Sequence, residues 1–113
     1  MRIVIDGMGG DDAPATVVEG AVEAAGLIED TIYIVGRQDE INEELRKNSY
    51  EGDNIVVVNA DEVITMEDSP VKSIRRKTDS SMVVCLNMLK DGDADVMISG
   101  GNTGALIVGS RMI

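Results

Sequence analysis

Short apolar runs alternate with amphipathic stretches along this chain of 113 residues. Ile3, Val4 and Ile5 are consecutive and β-branched, so Arg2 to Asp6 reads as a strand buried on both faces. Gly7 to Pro14 is a glycine-rich turn carrying carboxylates. Val18, Ala21, Val22 and Ala25 then recur at helical spacing. They predict a helix from about Ala15 to Ala25, with Asp12 as its cap, Pro14 near its first turn and Gly26 as its stop. Thr31 to Val35 predicts a second strand, and Gln38 to Asn48 an amphipathic helix with Ile41 and Leu45 on its apolar face. Ile55 to Val58 reads as a third buried strand. Asn59 to Ser69 is the least regular stretch, after which Pro70 opens a short basic helix. Ser80 or Ser81 caps a longer helix that ends near Gly92. Ala94 to Ser99 is the fourth strand, and a last helix begins after Asn102 or Thr103.

Strands and helices alternating at these lengths imply a parallel sheet covered on both faces, wound as a single unit over residues 1–113. Ligands in such sheets bind beyond the carboxyl ends of the strands. Two turns leave that edge, DGMGGDDAP after the first strand and SGGNTGAL after the fourth. The irregular stretch after the third strand emerges there too, so the unusual chemistry gathers on one rim.

Composition narrows the function. Apolar residues make up 43% and charged residues 27%, as in soluble globular domains, and no apolar run approaches the ~20 residues of a membrane span. The chain opens directly on a strand with no apolar signal segment, and a cytoplasmic location is expected. The net charge of −11 and only two aromatic residues, Tyr33 and Tyr50, argue against nucleic acid as a partner. Positive charge is local instead: Lys72, Arg75, Arg76 and Lys77 supply four of the ten basic residues. The single cysteine, Cys85, excludes an intrachain disulfide; it falls on the apolar face of a helix and reads as a buried structural thiol. There is no histidine, so imidazole catalysis and Cys/His metal patterns are absent.

The two turns carry the candidate chemistry. Gly100, Gly101 and Gly104 let backbone N–H groups approach a ligand, Asn102 and Thr103 add side-chain donors, and a helix begins there with its positive end toward the same spot. This combination suits phosphate or another oxyanion, although a tight turn with a capping threonine would look the same. In the first turn, Gly7, Gly9 and Gly10 also permit close approach. The spacing there is one residue from a dinucleotide fingerprint, but Asp12 replaces the third glycine and Asp11 adds charge, which disfavours a pyrophosphate. The carboxylates of Asp6 and Asp11 suit hydrogen bonding to a substrate, Mg²⁺ binding or anchoring of the basic segment.

Four stretches in order carry a family resemblance: IDGMGGDDAP from Ile5, Val63 to Val71, IRRKTDSSM from Ile74, and SGGNTGAL from Ser99. The chain resembles the N-terminal part of the acyl-acyl-carrier-protein:phosphate acyltransferases of bacterial phospholipid synthesis. That resemblance implies a Rossmann-like three-layer α/β/α fold with a mainly parallel sheet, similar to phosphate acetyltransferases and isocitrate dehydrogenases. It implies transfer of a long-chain acyl group from acyl carrier protein to inorganic phosphate, a homodimer, no redox cofactor and, in some members, peripheral membrane association. Members are much longer, so this chain is expected to be an N-terminal portion, inactive by itself. Where the family pattern has histidine, this chain has Asp12, a group with a far lower reference pKa of about 3.9 against about 6.5. The family's A-G-N-T-G-A reads Gly100-Gly101-Asn102-Thr103-Gly104-Ala105 here.

Together these readings assign Asn102, Lys72 and Arg75 to catalysis, as oxyanion donor and phosphate-neutralising cations. Asp6, Gly9, Gly10, Asp11, Ser80, Ser81, Ser99, Gly101, Thr103 and Gly104 are the expected substrate- or phosphate-binding set, with no metal. Helix capping explains Ser80 or Ser81 equally well. The basic cluster has a second reading as a dock for the acidic carrier protein. Three alternatives stand beside this one: a phosphate acetyl- or butyryltransferase using coenzyme A thioesters, a noncatalytic phosphate-binding module, and a sugar-kinase or actin-like phosphate turn. The last expects threonine where Asp11 stands.

Overall fold

The computed structural model describes residues 1–65, 67–101 and 103–112. Among them, β1 (Arg2–Asp6), β2 (Thr31–Gly36), β3 (Ile55–Asn59) and β4 (Val96–Ile98) form one sheet in the order β3-β2-β1-β4. Every pairing is parallel, with Val4 opposite Tyr33 on one side and Met97 on the other. The helices are α1 (Ala15–Ala25), α2 (Gln38–Lys47), α3 (Pro70–Arg76), α4 (Ser81–Lys90) and α5 (Thr103–Met112). This is the expected three-layer α/β/α arrangement.

Alternation along the strands builds both faces of the sheet. Ile32 and Ile34 point to one side, where they pack with Val18, Ala21 and Ala25 of α1 and Ile41 of α2. Val4 and Val35 point to the other, where they meet Cys85 of α4 together with Ala60 and Ala94. A third cluster joins Ile64, Ile74 of α3, Met82, Val83 and Leu86 of α4, and Ala105 of α5. Thus α3 and α5 are fastened to the layer that α4 provides.

Two details differ from the sequence-based expectation. Asp12 does not cap α1: Pro14 occupies the cap position, with no side-chain cap. The residues before the helix are already wound into turns, so the Asp12 carbonyl, not its carboxylate, accepts from the Thr16 amide at 3.2 Å. The fourth strand is shorter than Ala94 to Ser99, because the Ala94 amide bonds back to Met88 of α4 and Ser99 is drawn into the turn that follows. Ser80, not Ser81, caps α4, accepting from the Val83 amide at 3.2 Å.

The opposite, amino-terminal edge of the sheet is closed by Asn54. Its side-chain amide donates to the carbonyls of Ala25, Ile28 and Asp30, while the Tyr50 hydroxyl accepts from the Asn54 and Ile55 amides. None of the described helices is long and apolar enough to cross a membrane.

Ile34 is fully buried between β2 and the α1–α2 layer. Ile34→Ala is expected to destabilise the fold by about 2–5 kcal/mol, read as a lowered urea midpoint of the full-length protein.

Candidate functional site

The strand order creates the site. From β1 the chain moves outward through β2 to β3, then returns to place β4 on β1's other side. The connections leaving β1 and β4 therefore diverge to opposite faces, and a crevice opens between their carboxyl ends. Both glycine turns begin there, one after Asp6 and one after Ile98.

Asp6 lies at the bottom of this crevice and is only 3% exposed. Its Oδ1 accepts from the Ser81 hydroxyl at 2.5 Å and from the Met8 amide at 3.1 Å. Its Oδ2 accepts from the Ser99 hydroxyl at 3.0 Å. Ser99 Oγ in turn accepts from the Gly101 amide at 3.2 Å. One carboxylate thus joins the end of β1, the first turn, the start of α4 and the turn after β4.

The two turns meet backbone to backbone. A Cβ on Gly9 would lie 2.8 Å from the Gly101 nitrogen and 2.9 Å from Asp6 Oδ2, so only glycine fits. Gly10 has φ +108°, a conformation that other residues rarely adopt. A cleft of about 400 Å³ opens beside this contact, lined by Met8, Gly10 and Asp11 of the first turn and Gly101 of the second. Val63, Ile64, Thr65 and Glu67 form its remaining wall. The three segments expected on one rim do share one cleft.

That wall belongs to the stretch that looked least regular in sequence. It is tied down by a short parallel pairing: Glu62 N donates to Asp79 O, and Ser81 N donates to Glu62 O, each at 3.1 Å. Lys77 completes the hold, its ammonium donating to the Val63 carbonyl and to Asp68 Oδ2, both at 2.8 Å. Asp68 also accepts from the Thr65 amide at 2.8 Å.

The expected site residues divide into groups. Gly9, Gly10, Asp11 and Gly101 are brought together at the cleft. Ser81 and Ser99 each donate to Asp6 beneath it, and Ser80 is a buried helix cap. Thr103 opens α5 and Gly104 lies in its first turn. Asn102 and the Thr103 side chain lie outside the described residues. Lys72 lines a separate hollow of about 240 Å³ with Asp68, Ser69, Ser73, Arg76 and Lys77, and Arg75 is exposed on the same helix. A larger polar hollow of about 600 Å³, lined by Arg37, Gln38, Asp39, Glu40, Asn59 and Asp61, lies at the ends of β2 and β3 and lacks the glycine turns. Sequence reasoning missed Lys77 as the pin of the cleft wall. The signal available was a lysine at the end of a basic helix, nine residues from Asp68.

Cys85 is inert in this setting. Burial, and then the nearby negative charge of Asp6, push its thiol well above the ordinary range, so it stays protonated.

The whole chain, residues 1–113, matches the family described as fatty acid synthesis protein. It is 49% identical over 114 residues to a phosphate acyltransferase of Clostridium botulinum (strain Alaska E43 / Type E3), covering all of this chain and 34% of that protein. It is 48% identical over 113 residues to one from Clostridioides difficile (strain 630), of which it covers 33%. A phosphate acyltransferase of Lactiplantibacillus plantarum is 46% identical over 114 residues, with 32% of it covered. The chain therefore spans about a third of the length of these relatives.

The Lys77 ammonium and then the Thr65 amide hold the Asp68 carboxyl below its ordinary value of 3.8. Because the folded value is depressed, this ion pair contributes above about pH 4 and is lost as the pH falls through the folded value. Amide exchange in the 63–68 wall is therefore expected to accelerate in acid, and Lys77→Met is expected to reproduce that loosening at neutral pH.

Proposed function

This chain belongs to the fatty acid synthesis protein family, and on that premise we propose that it forms the phosphate-binding portion of an enzyme that moves a fatty acyl group from an acyl carrier protein thioester to inorganic phosphate. The observation that carries the reading is the convergence of two glycine turns on one cleft at the β1–β4 crevice, with α5 starting beside it. Helix N-termini and glycine-turn amides supply N–H donors to an anion without requiring a side-chain charge. Curated relatives carrying the name phosphate acyltransferase support the same chemistry.

In the proposed reaction a phosphate oxygen attacks the thioester carbonyl carbon. A C–O bond forms, the carbonyl electron pair moves onto oxygen, and the resulting oxyanion is met by N–H donors of the turn and the Asn102 side-chain amide. Collapse of the oxyanion breaks the C–S bond. The thiolate leaves on the carrier and takes up a proton, and the acyl phosphate departs. With no histidine in this chain, its contribution is positioning and electrostatics.

Lys72, Arg75 and Arg76 make no ion pair or hydrogen bond among the described residues, unlike Lys77 beside them. We assign this exposed patch to docking of the acidic carrier. Exposed charge pairing of that kind weakens steeply with salt, whereas contacts to enclosed phosphate weaken less.

The test is acyl transfer by the full-length protein. Thioester loss is expected to require phosphate, to yield acyl phosphate, and to prefer acyl carrier protein over coenzyme A as donor. The KM for the carrier is expected to rise with ionic strength more than that for phosphate. Asn102→Ala is expected to lower turnover at saturating phosphate about a hundredfold. Phosphate binding without thioester cleavage would instead mark a noncatalytic module, and preference for acyl-coenzyme A a different donor class.

A further inference from the structure

The hydrogen bonds beneath the cleft have a fixed direction. A carboxylate only accepts, so Ser81 and Ser99 both turn their protons toward Asp6. With its proton committed, Ser99 Oγ presents only lone pairs to the second turn. The group it meets there is the Gly101 amide, at 3.2 Å. Gly101 N–H therefore points down into the protein, away from any ligand in the cleft above it.

We propose that Asp6, acting through Ser99, is a positioning residue that sets the second glycine turn for anion binding. The relay holds Gly101 inward and so fixes where the chain enters α5 at Thr103. The amino-terminal end of α5 is thereby set beside the cleft, where the helix dipole favours an anion. The same carboxylate holds the Met8 amide, and Gly9 packs against both Asp6 and Gly101, so the two walls of the cleft share one reference point. Asp6, Ser81 and Ser99 do not touch the ligand in this arrangement; they decide the position of groups that do. The inference rests on the reading of the cleft as a phosphate site.

The experiment uses three variants of the full-length protein: Ser99→Ala, Ser99→Thr and Asp6→Asn. Losing a hydrogen bond to a charged group is expected to raise the KM for inorganic phosphate about tenfold in Ser99→Ala, with the KM for the acyl thioester within about twofold. Ser99→Thr keeps the hydroxyl and is expected to restore the phosphate KM. Asp6→Asn replaces one accepting oxygen by a donor and is expected to behave like Ser99→Ala if it folds. Amide exchange at Gly101 is followed in parallel, expected to be slow in the parent protein and in Ser99→Thr and at least about tenfold faster in Ser99→Ala. Equal changes in both KM values, or no rescue by threonine, would overturn the relay. So would unchanged Gly101 exchange, which also judges it if the parent protein transfers no acyl group. In that last case fast exchange in Ser99→Ala would uphold the relay while the functional reading fails.

Discussion

A buried carboxylate is tolerated only when its oxygens are satisfied, and that requirement organises this molecule around Asp6. Its hydrogen-bond donors come from three places distant in sequence: Met8 in the first turn, Ser81 at the start of α4 and Ser99 after β4. Removing any one would leave part of a charge without a partner where water does not reach, a deficit of about 1–3 kcal/mol or more. The carboxylate therefore does what an apolar contact does poorly. It demands particular atoms in particular directions, so α4 and β4 are held to β1 in one register.

The cleft above it poses an electrostatic problem. Asp11 and Glu67 line its walls, and the chain as a whole carries a charge of −11. No lysine or arginine lines it among the described residues. Under the proposed reading, attraction for an anion comes from backbone amides, whose partial charges act at contact distance and are weakly screened when water is excluded. The fully charged groups Lys72, Arg75 and Arg76 are exposed on α3. Lys77 beside them is turned inward, and it is neutralised by Asp68 while it pins the cleft wall. Under the proposed reading, the amides would hold phosphate and the outer cations would greet a larger acidic partner.

Most of the architecture was legible because apolar period and turn chemistry agreed. The run Ile3–Ile5, the helical spacing from Val18 to Ala25 and the proline at the head of α3 each specify their element locally. The strand–helix alternation then left a parallel sheet as the natural topology. The cleft was legible only as a rim on which glycines gather. Nothing local could show that Ser81 would face Asp6 and Ser80 would cap, because adjacent serines at a helix start are equivalent until the tertiary fold chooses between them. The Asp12 expectation failed for a related reason: capping preference is a local tendency, and the turns preceding Pro14 had already engaged the Asp12 backbone. The stretch from Asn59 to Ser69 looked irregular because its order comes from Lys77 and the pairing with Asp79 to Ser81, neither of which leaves a periodic trace.

The position where the resembling family pattern has histidine bears on how the chemistry is divided. Asp12 is exposed, and the cleft is lined by its neighbour Asp11 instead. Its carbonyl is committed to the Thr16 amide, which fixes its backbone at the entry to α1. Exchanging an imidazole for a carboxylate there changes a solvent-facing group at the edge of the turn and leaves the Gly9–Gly101 contact untouched. What the cleft cannot vary is Gly9, since a Cβ there would strike both the Gly101 nitrogen and the Asp6 carboxylate. The constraint on this site is thus geometric before it is acid–base: two backbones must approach closely enough for one buried charge to hold them both.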